Sequence, residues 1–124
     1  MIYRQFTPHS GLRDYIDAYW TAKGDGKELR TERVLPDGCV DIIFNLGGNC
    51  LTDNGNYTMQ NEKIYLVGTM TSFKESCMDP ETNLLGIRFK PGAFAAFFKF
   101  SSLHEITDHT IEFEKNFHPI FIKR

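Results

Sequence analysis

Arg33-Val-Leu-Pro-Asp-Gly-Cys-Val-Asp-Ile-Ile-Phe-Asn-Leu-Gly47 joins a Pro-Asp-Gly turn to an alternating strand that carries one carboxylate, Asp41. Pro36 presets φ, Asp37 can bond its own backbone, and Gly38 supplies the positive φ that a tight reversal needs. Beyond the turn, Val40, Ile42, Phe44 and Leu46 point one way, while Cys39, Asp41, Ile43 and Asn45 point the other. This predicts a strand covered on its apolar face, with Asp41 opposite that face.

Working outward, the same period recurs on both sides. Ile16, Ala18, Trp20 and Ala22 alternate with Tyr15, Asp17, Tyr19 and Thr21, predicting a strand from about Ile16, preceded by a turn-like lead-in at Pro8 to Gly11 and a helical turn from Leu12 that Ser10 can cap. Residues 28–35 predict an approach strand. Asp53-Asn-Gly55 predicts a hairpin between Cys50-Leu-Thr52 and Tyr57-Thr-Met59. Ile64 to Met70 is an apolar run of strand length, and Thr71 to Cys77 continues it past a bend. In Leu84 to Lys90, Leu85, Ile87 and Phe89 share one face, with Gly86, Arg88 and Lys90 on the other. From Ala93 to Phe100 alternation stops, and Pro91 near its start predicts a short buried helix. Ser102 begins a Ser-x-x-Glu pattern, and residues 112–124 read as a helix start broken by Pro119. Strands first and helices last argue for one domain, 1–124, that is mainly β: an antiparallel barrel or sandwich with short C-terminal helices.

Composition narrows the function classes. The length of 124 residues suits a single core. A net charge of −2, with 14 Lys and Arg scattered along the chain, gives no footprint for nucleic acid. Cys39, Cys50 and Cys77 form an odd, widely spaced set that fits reduced thiols in the cytoplasm. Charges at Arg4, Arg13 and Asp14 interrupt any secretory signal, and no apolar run approaches the roughly 20 residues needed to span a bilayer.

Catalytic chemistry finds little support. His9, His104, His109 and His118 show no recognised ligand spacing, so no metal or cofactor is expected. Cys39 follows a turn, but nothing brings a histidine to it. The polar pair that stands out is Asp41 with Arg88, each inside an apolar strand where an unpaired charge is costly. Their parity, opposite the apolar faces of both strands, favours a structural ion pair over a ligand site. A pocket, if the apolar faces line one, is walled by Trp20, Val40, Ile42, Phe44, Ile87 and Phe89.

Three stretches together resemble one family. They are Leu12-x-x-Tyr-Ile-x-x-Tyr-Trp20, the Arg33 to Leu46 segment, and Gly68-Thr-Met-Thr71 followed by Gly86-Ile-Arg-Phe-Lys-Pro-Gly-Ala-Phe-Ala-Ala-Phe-Phe98. The set is similar to the N-terminal domain of a group of AraC-type transcriptional regulators, and Thr107-Asp-His-Thr110 matches a Thr-Asp-x-Thr stretch of that group. The resemblance covers roughly residues 8–117. It implies a cupin-like β-barrel that senses a small-molecule effector, dimerises, or both, tethered to a DNA-binding region. Such a region would follow Phe121-Ile-Lys-Arg124, so the expectation is an excised or stand-alone sensor that does not itself bind DNA. Phe94, Phe97, Phe98, Phe113 and Phe117 are the candidate contacts of a homodimer. The alternatives are a small cupin-like enzyme acting on a sugar or other small metabolite, or a purely structural module with a filled interior.

Overall fold

The alternation of β-branched and aromatic residues sets the architecture, which is mainly β and antiparallel. The computed structural model describes residues 2–24, 30–34, 36, 38–99, 106–113 and 118–119. Its strands are β1 (Ile2–Phe6), β2 (Ile16–Lys23), β3 (Arg30–Val34), β4 (Val40–Asn45), β5 (Cys50–Thr52), β6 (Tyr57–Met59), β7 (Lys63–Val67), β8 (Lys74–Met78), β9 (Asn83–Phe89), β10 (Phe98–Lys99), β11 (Thr110–Glu112) and β12 (His118–Pro119). Six form one sheet in the order β1-β2-β9-β4-β7-β11, while β3 pairs with β8, β5 with β6 and β10 with β12.

The expected closed barrel is not formed among the described residues. The six-stranded sheet ends at β1 on one side and β11 on the other, and the remaining strands pair among themselves. Both faces of the large sheet are covered instead. On one face Val40, Ile42, Leu66 and Phe89 pack with Phe94 and Ile106. On the other, Trp20, Ala22, Ile43, Tyr65 and Leu84 pack against Cys50, Met59 and Met78 from the smaller sheets.

A bulge allows β2 to serve both layers. Ile16 pairs with Phe89 but Ala18 pairs with Arg88, so Asp17 is an extra residue and the phase flips across it. Ile16 therefore joins the first cluster and Trp20 the second. The hairpin expected at Asp53 to Gly55 forms as a turn between β5 and β6, with Cys50 opposite Met59. Its left-handed backbone at Asp53, Asn54 and Gly55 explains the residue choice. Thr71 to Cys77 does not continue β7, because β8 belongs to the separate ribbon with β3.

The helix expected over Ala93 to Phe100 is replaced by a 3-10 turn, Phe94–Ala96, and then by β10. Phe94 is drawn into the core against Phe89, while Ala95 and Ala96 are exposed, so a longer helix has no second apolar stripe to bury. The first turn of the chain is capped by His9, whose Nδ1 accepts from the Gly11 amide at 3.0 Å, and not by Ser10. Glu112 ends β11 and Phe113 is helical, while residues 114–117, over which the expected C-terminal helix would run, and the Ser102 pattern lie outside the described residues. No helix among the described residues is long and apolar enough to cross a membrane.

Candidate ligand-binding site

Between the six-stranded sheet and the β3–β8 ribbon lies a cavity of about 380 Å³. Its floor follows from strand register. Trp20 on β2 is opposite Gly86 on β9, which is opposite Ile43 on β4. In the next row Ala18, Arg88, Asp41 and Val67 are neighbours. Trp20, Asp41, Ile43, Val67 and Arg88 all line the cavity, and Glu32, Val34, Lys74, Ser76 and Met78 close it from the ribbon.

Gly86 is a glycine because the Trp20 indole lies directly on it. A Cβ at Gly86 would come 2.0 Å from Cε2 of Trp20 and 2.3 Å from Nε1. Gly86→Ala is therefore expected to displace the ring and cost about 3 kcal/mol by overpacking and loss of its hydrogen bond. Denaturant melts with Trp20 emission as the probe check this, and wild-type stability would refute the packing.

Asp41 is held from two sides. Its Oδ2 accepts from Trp20 Nε1 at 3.1 Å, and Oδ1 lies 3.9 Å from Arg88 Nε. The Arg88 guanidinium also donates to Gln5 Oε1 at 3.2 Å and to the Tyr3 hydroxyl at 3.0 Å, and it approaches Asp17 at 3.6 Å. The Tyr3 ring continues the aromatic surface, 6.0 Å from Trp20 and 26° from parallel. With both side chains of the Asp41–Arg88 pair below one-fifth exposed, screening is limited. Asp41→Asn and Arg88→Met are each expected to destabilise, and the double change to cost about 1 kcal/mol less than their sum. Strict additivity in melts would remove the coupling.

Of the residues expected to wall a pocket, Trp20 lines the cavity and the other five do not. Val40, Ile42, Phe44, Ile87 and Phe89 lie in or against the apolar cluster on the opposite face of the sheet. That face is filled by Leu66, Phe94 and Ile106, so the hollow sits on the side that carries Asp41 and Arg88. Asp41 and Arg88, opposite the apolar faces of their strands, are therefore cavity-lining residues as well as ion-pair partners. Tyr3, Ile43, Met59, Lys74 and Met78 were not among the expected lining residues. A glycine inside an apolar strand, Gly86, was the available signal of close approach on that face.

Lys74 anchors the far wall. Its ammonium pairs with Asp53 Oδ1 at 2.9 Å and donates to the Asp108 carbonyl at 2.6 Å. Asp53 also accepts from the amide and hydroxyl of Thr110, at 3.1 and 3.0 Å. The Gly68 to Thr71 and Thr107 to Thr110 stretches meet here, since Thr71 donates to both Asp108 oxygens, at 2.7 Å from its amide and 2.5 Å from its hydroxyl. Those bonds, the hydroxyl's first, hold the Asp108 carboxyl below its ordinary value, with Lys74 and His109 adding to the effect. A depressed folded pKa contributes stability above the unfolded value of 3.8 and loses it as pH falls through the lower folded value. The melting-temperature gap between wild type and Asp108→Asn is thus expected to be full above about pH 4 and to close in more acid solution. A gap independent of pH would contradict this.

Cys39 lines the cavity, whereas Cys50 is buried and its thiol is pushed up to about 11, mainly by burial. His9 is committed to its turn. Among the described residues no group of three or more His, Cys, Asp or Glu is placed to hold a metal ion. His104, Phe117 and the side chains of Phe98 and His118 lie outside the described residues. Of the expected dimer contacts, Phe94 is buried in the core, and Phe97 and Phe113 are half-buried against it.

No curated protein and no solved structure matches the chain. Residues 4–112 match the model of a family described as a domain of unknown function (DUF6597), and the chain belongs to that family.

Proposed function

We propose that this chain is the effector-sensing and/or dimerisation domain of an AraC-type transcriptional regulator, non-enzymatic, cytoplasmic and not itself DNA-binding. One observation carries the reading. The stretches on which the resemblance rests all contribute to the cavity: Trp20 from the first, Cys39, Asp41 and Ile43 from the second, Gly68, Met70 and Arg88 from the third. Largely apolar walls with a few convergent polar groups suit a small-molecule site. Two antiparallel layers around a hollow are also what a cupin-like domain supplies, which supports that finer assignment. A net charge of −2 supports a partner other than DNA for this surface.

The test is to fuse the chain to a heterologous helix-turn-helix region that needs a regulatory domain for activity. Reporter transcription should depend on the fused domain and change with the small molecules supplied. Val67→Phe, which fills the cavity from β7, should abolish the change. A fusion no more active than the bare DNA-binding region, and indifferent to added metabolites, would defeat the reading. One equivalent of zinc, iron or manganese in the purified chain would instead favour a cupin-like enzyme.

A further inference from the structure

We propose that the cavity takes an uncharged, planar and mainly apolar small molecule, packed against Trp20. This rests on reading the cavity as a ligand site and adds the chemistry of its occupant.

The first support is electrostatic. The charged groups around the cavity are already engaged by the protein itself. Arg88 lies between Asp41 and Asp17, and Lys74 is paired with Asp53. The Arg33 guanidinium lies over the Phe73 ring at 4.3 Å from its centroid, and Glu32 is not free either. A charged ligand would have to break one of these arrangements or be buried without a counter-ion, and both are costly. A neutral ligand incurs neither penalty.

The second support is the shape and softness of the walls. Gly86 lets the indole pack directly on the sheet, the Asp41 bond fixes its orientation, and the near-parallel rings of Trp20 and Tyr3 both contribute to the cavity lining. Aromatic ligands make favourable offset parallel or edge contacts with such rings. The sequence has four methionines, and Met59, Met70 and Met78 line this one cavity. Thioether side chains adapt to irregular apolar outlines and make favourable contacts with aromatic rings. Polar contact is available without charge from Thr52 and Ser76, whose hydroxyls are 2.8 Å apart on the wall. A volume of about 380 Å³ is at the low end for small-molecule sites and suits a compound of fused-ring size.

The test uses probes that share one ring system and differ in charge: 2-naphthol, 2-naphthoate and 2-naphthylmethylammonium. Trp20 is the only tryptophan, so the chain has a single indole N–H resonance, and it reports from the cavity floor. Titrations followed by that resonance and by calorimetry should show 2-naphthol binding about tenfold or more tighter than either ion. Equal or tighter binding of naphthoate or the ammonium would overturn the ligand class while leaving the cavity as a binding site. No shift with any of the three would overturn both.

Discussion

Asn45→Ala should destabilise the chain by about 4 kcal/mol, because it strips a fully buried amide from three backbone partners at once. The Asn45 Nδ2 donates to the Gly48 carbonyl at 3.0 Å and to the Met59 carbonyl at 2.9 Å, and Oδ1 accepts from the Gly47 amide at 3.0 Å. One side chain therefore closes the turn after β4 and ties it to β6 on the second layer. Alanine leaves those groups without their side-chain partner and adds a small cavity. Asn45→Asp keeps the acceptor but turns a carboxylate oxygen toward the Gly48 and Met59 carbonyls in a fully buried site, so it should not rescue the fold. Urea melts measure the difference, and an alanine variant within about 1 kcal/mol of wild type would show that the turn is held by other contacts.

Lys74→Met should cost a similar amount, about 4 kcal/mol, by leaving the Asp53 carboxylate largely buried without its cation. The Lys74 and Asp53 side chains are only 7% and 14% exposed, so water cannot readily take over. The effect should shrink in the double variant Lys74→Met with Asp53→Asn, since replacing both partners removes the stranded charge. If the double variant is less stable than Lys74→Met by the full cost of Asp53→Asn alone, the two residues are not coupled. Because Lys74 also lines the cavity, Lys74→Met should alter the Trp20 indole resonance even under conditions where the chain stays folded.

The strands were legible because period-two alternation is a local property: Ile16 to Ala22, Val40 to Phe44 and Leu85 to Phe89 each announce themselves. The hairpin at Asp53 to Gly55 was legible for the same reason, through turn residues that tolerate a left-handed backbone. Which face carries the hollow was not legible. Ile42 and Ile43 are both apolar and both buried, on opposite faces, so sequence alone cannot say which face is filled and which is left partly open. The bulge at Asp17 was equally hidden, since Ile16, Ala18, Trp20 and Ala22 read as one stripe, yet Ile16 joins one cluster and Trp20 and Ala22 the other. Asp41 and Arg88 stood out as charges in apolar strands, and register makes them direct neighbours. Their role at the cavity emerges only when β3 and β8 are seen to lie across from them. The helix expected after Pro91 failed for a tertiary reason: Phe94 is claimed by the core one turn in, and the chain returns to a strand.

If the hollow over Trp20, Asp41 and Arg88 is a binding site and not a packing defect, it should take up a compound from a mixture. Dialysis of the purified chain against a small-molecule extract, followed by mass spectrometry and the Trp20 indole resonance, tests this directly. A compound should be retained by the wild type, shift the indole N–H, and be lost from Val67→Phe. No retained compound, together with a Val67→Phe chain more stable than wild type, would contradict it, because filling a mere void stabilises a fold at no cost to anything else.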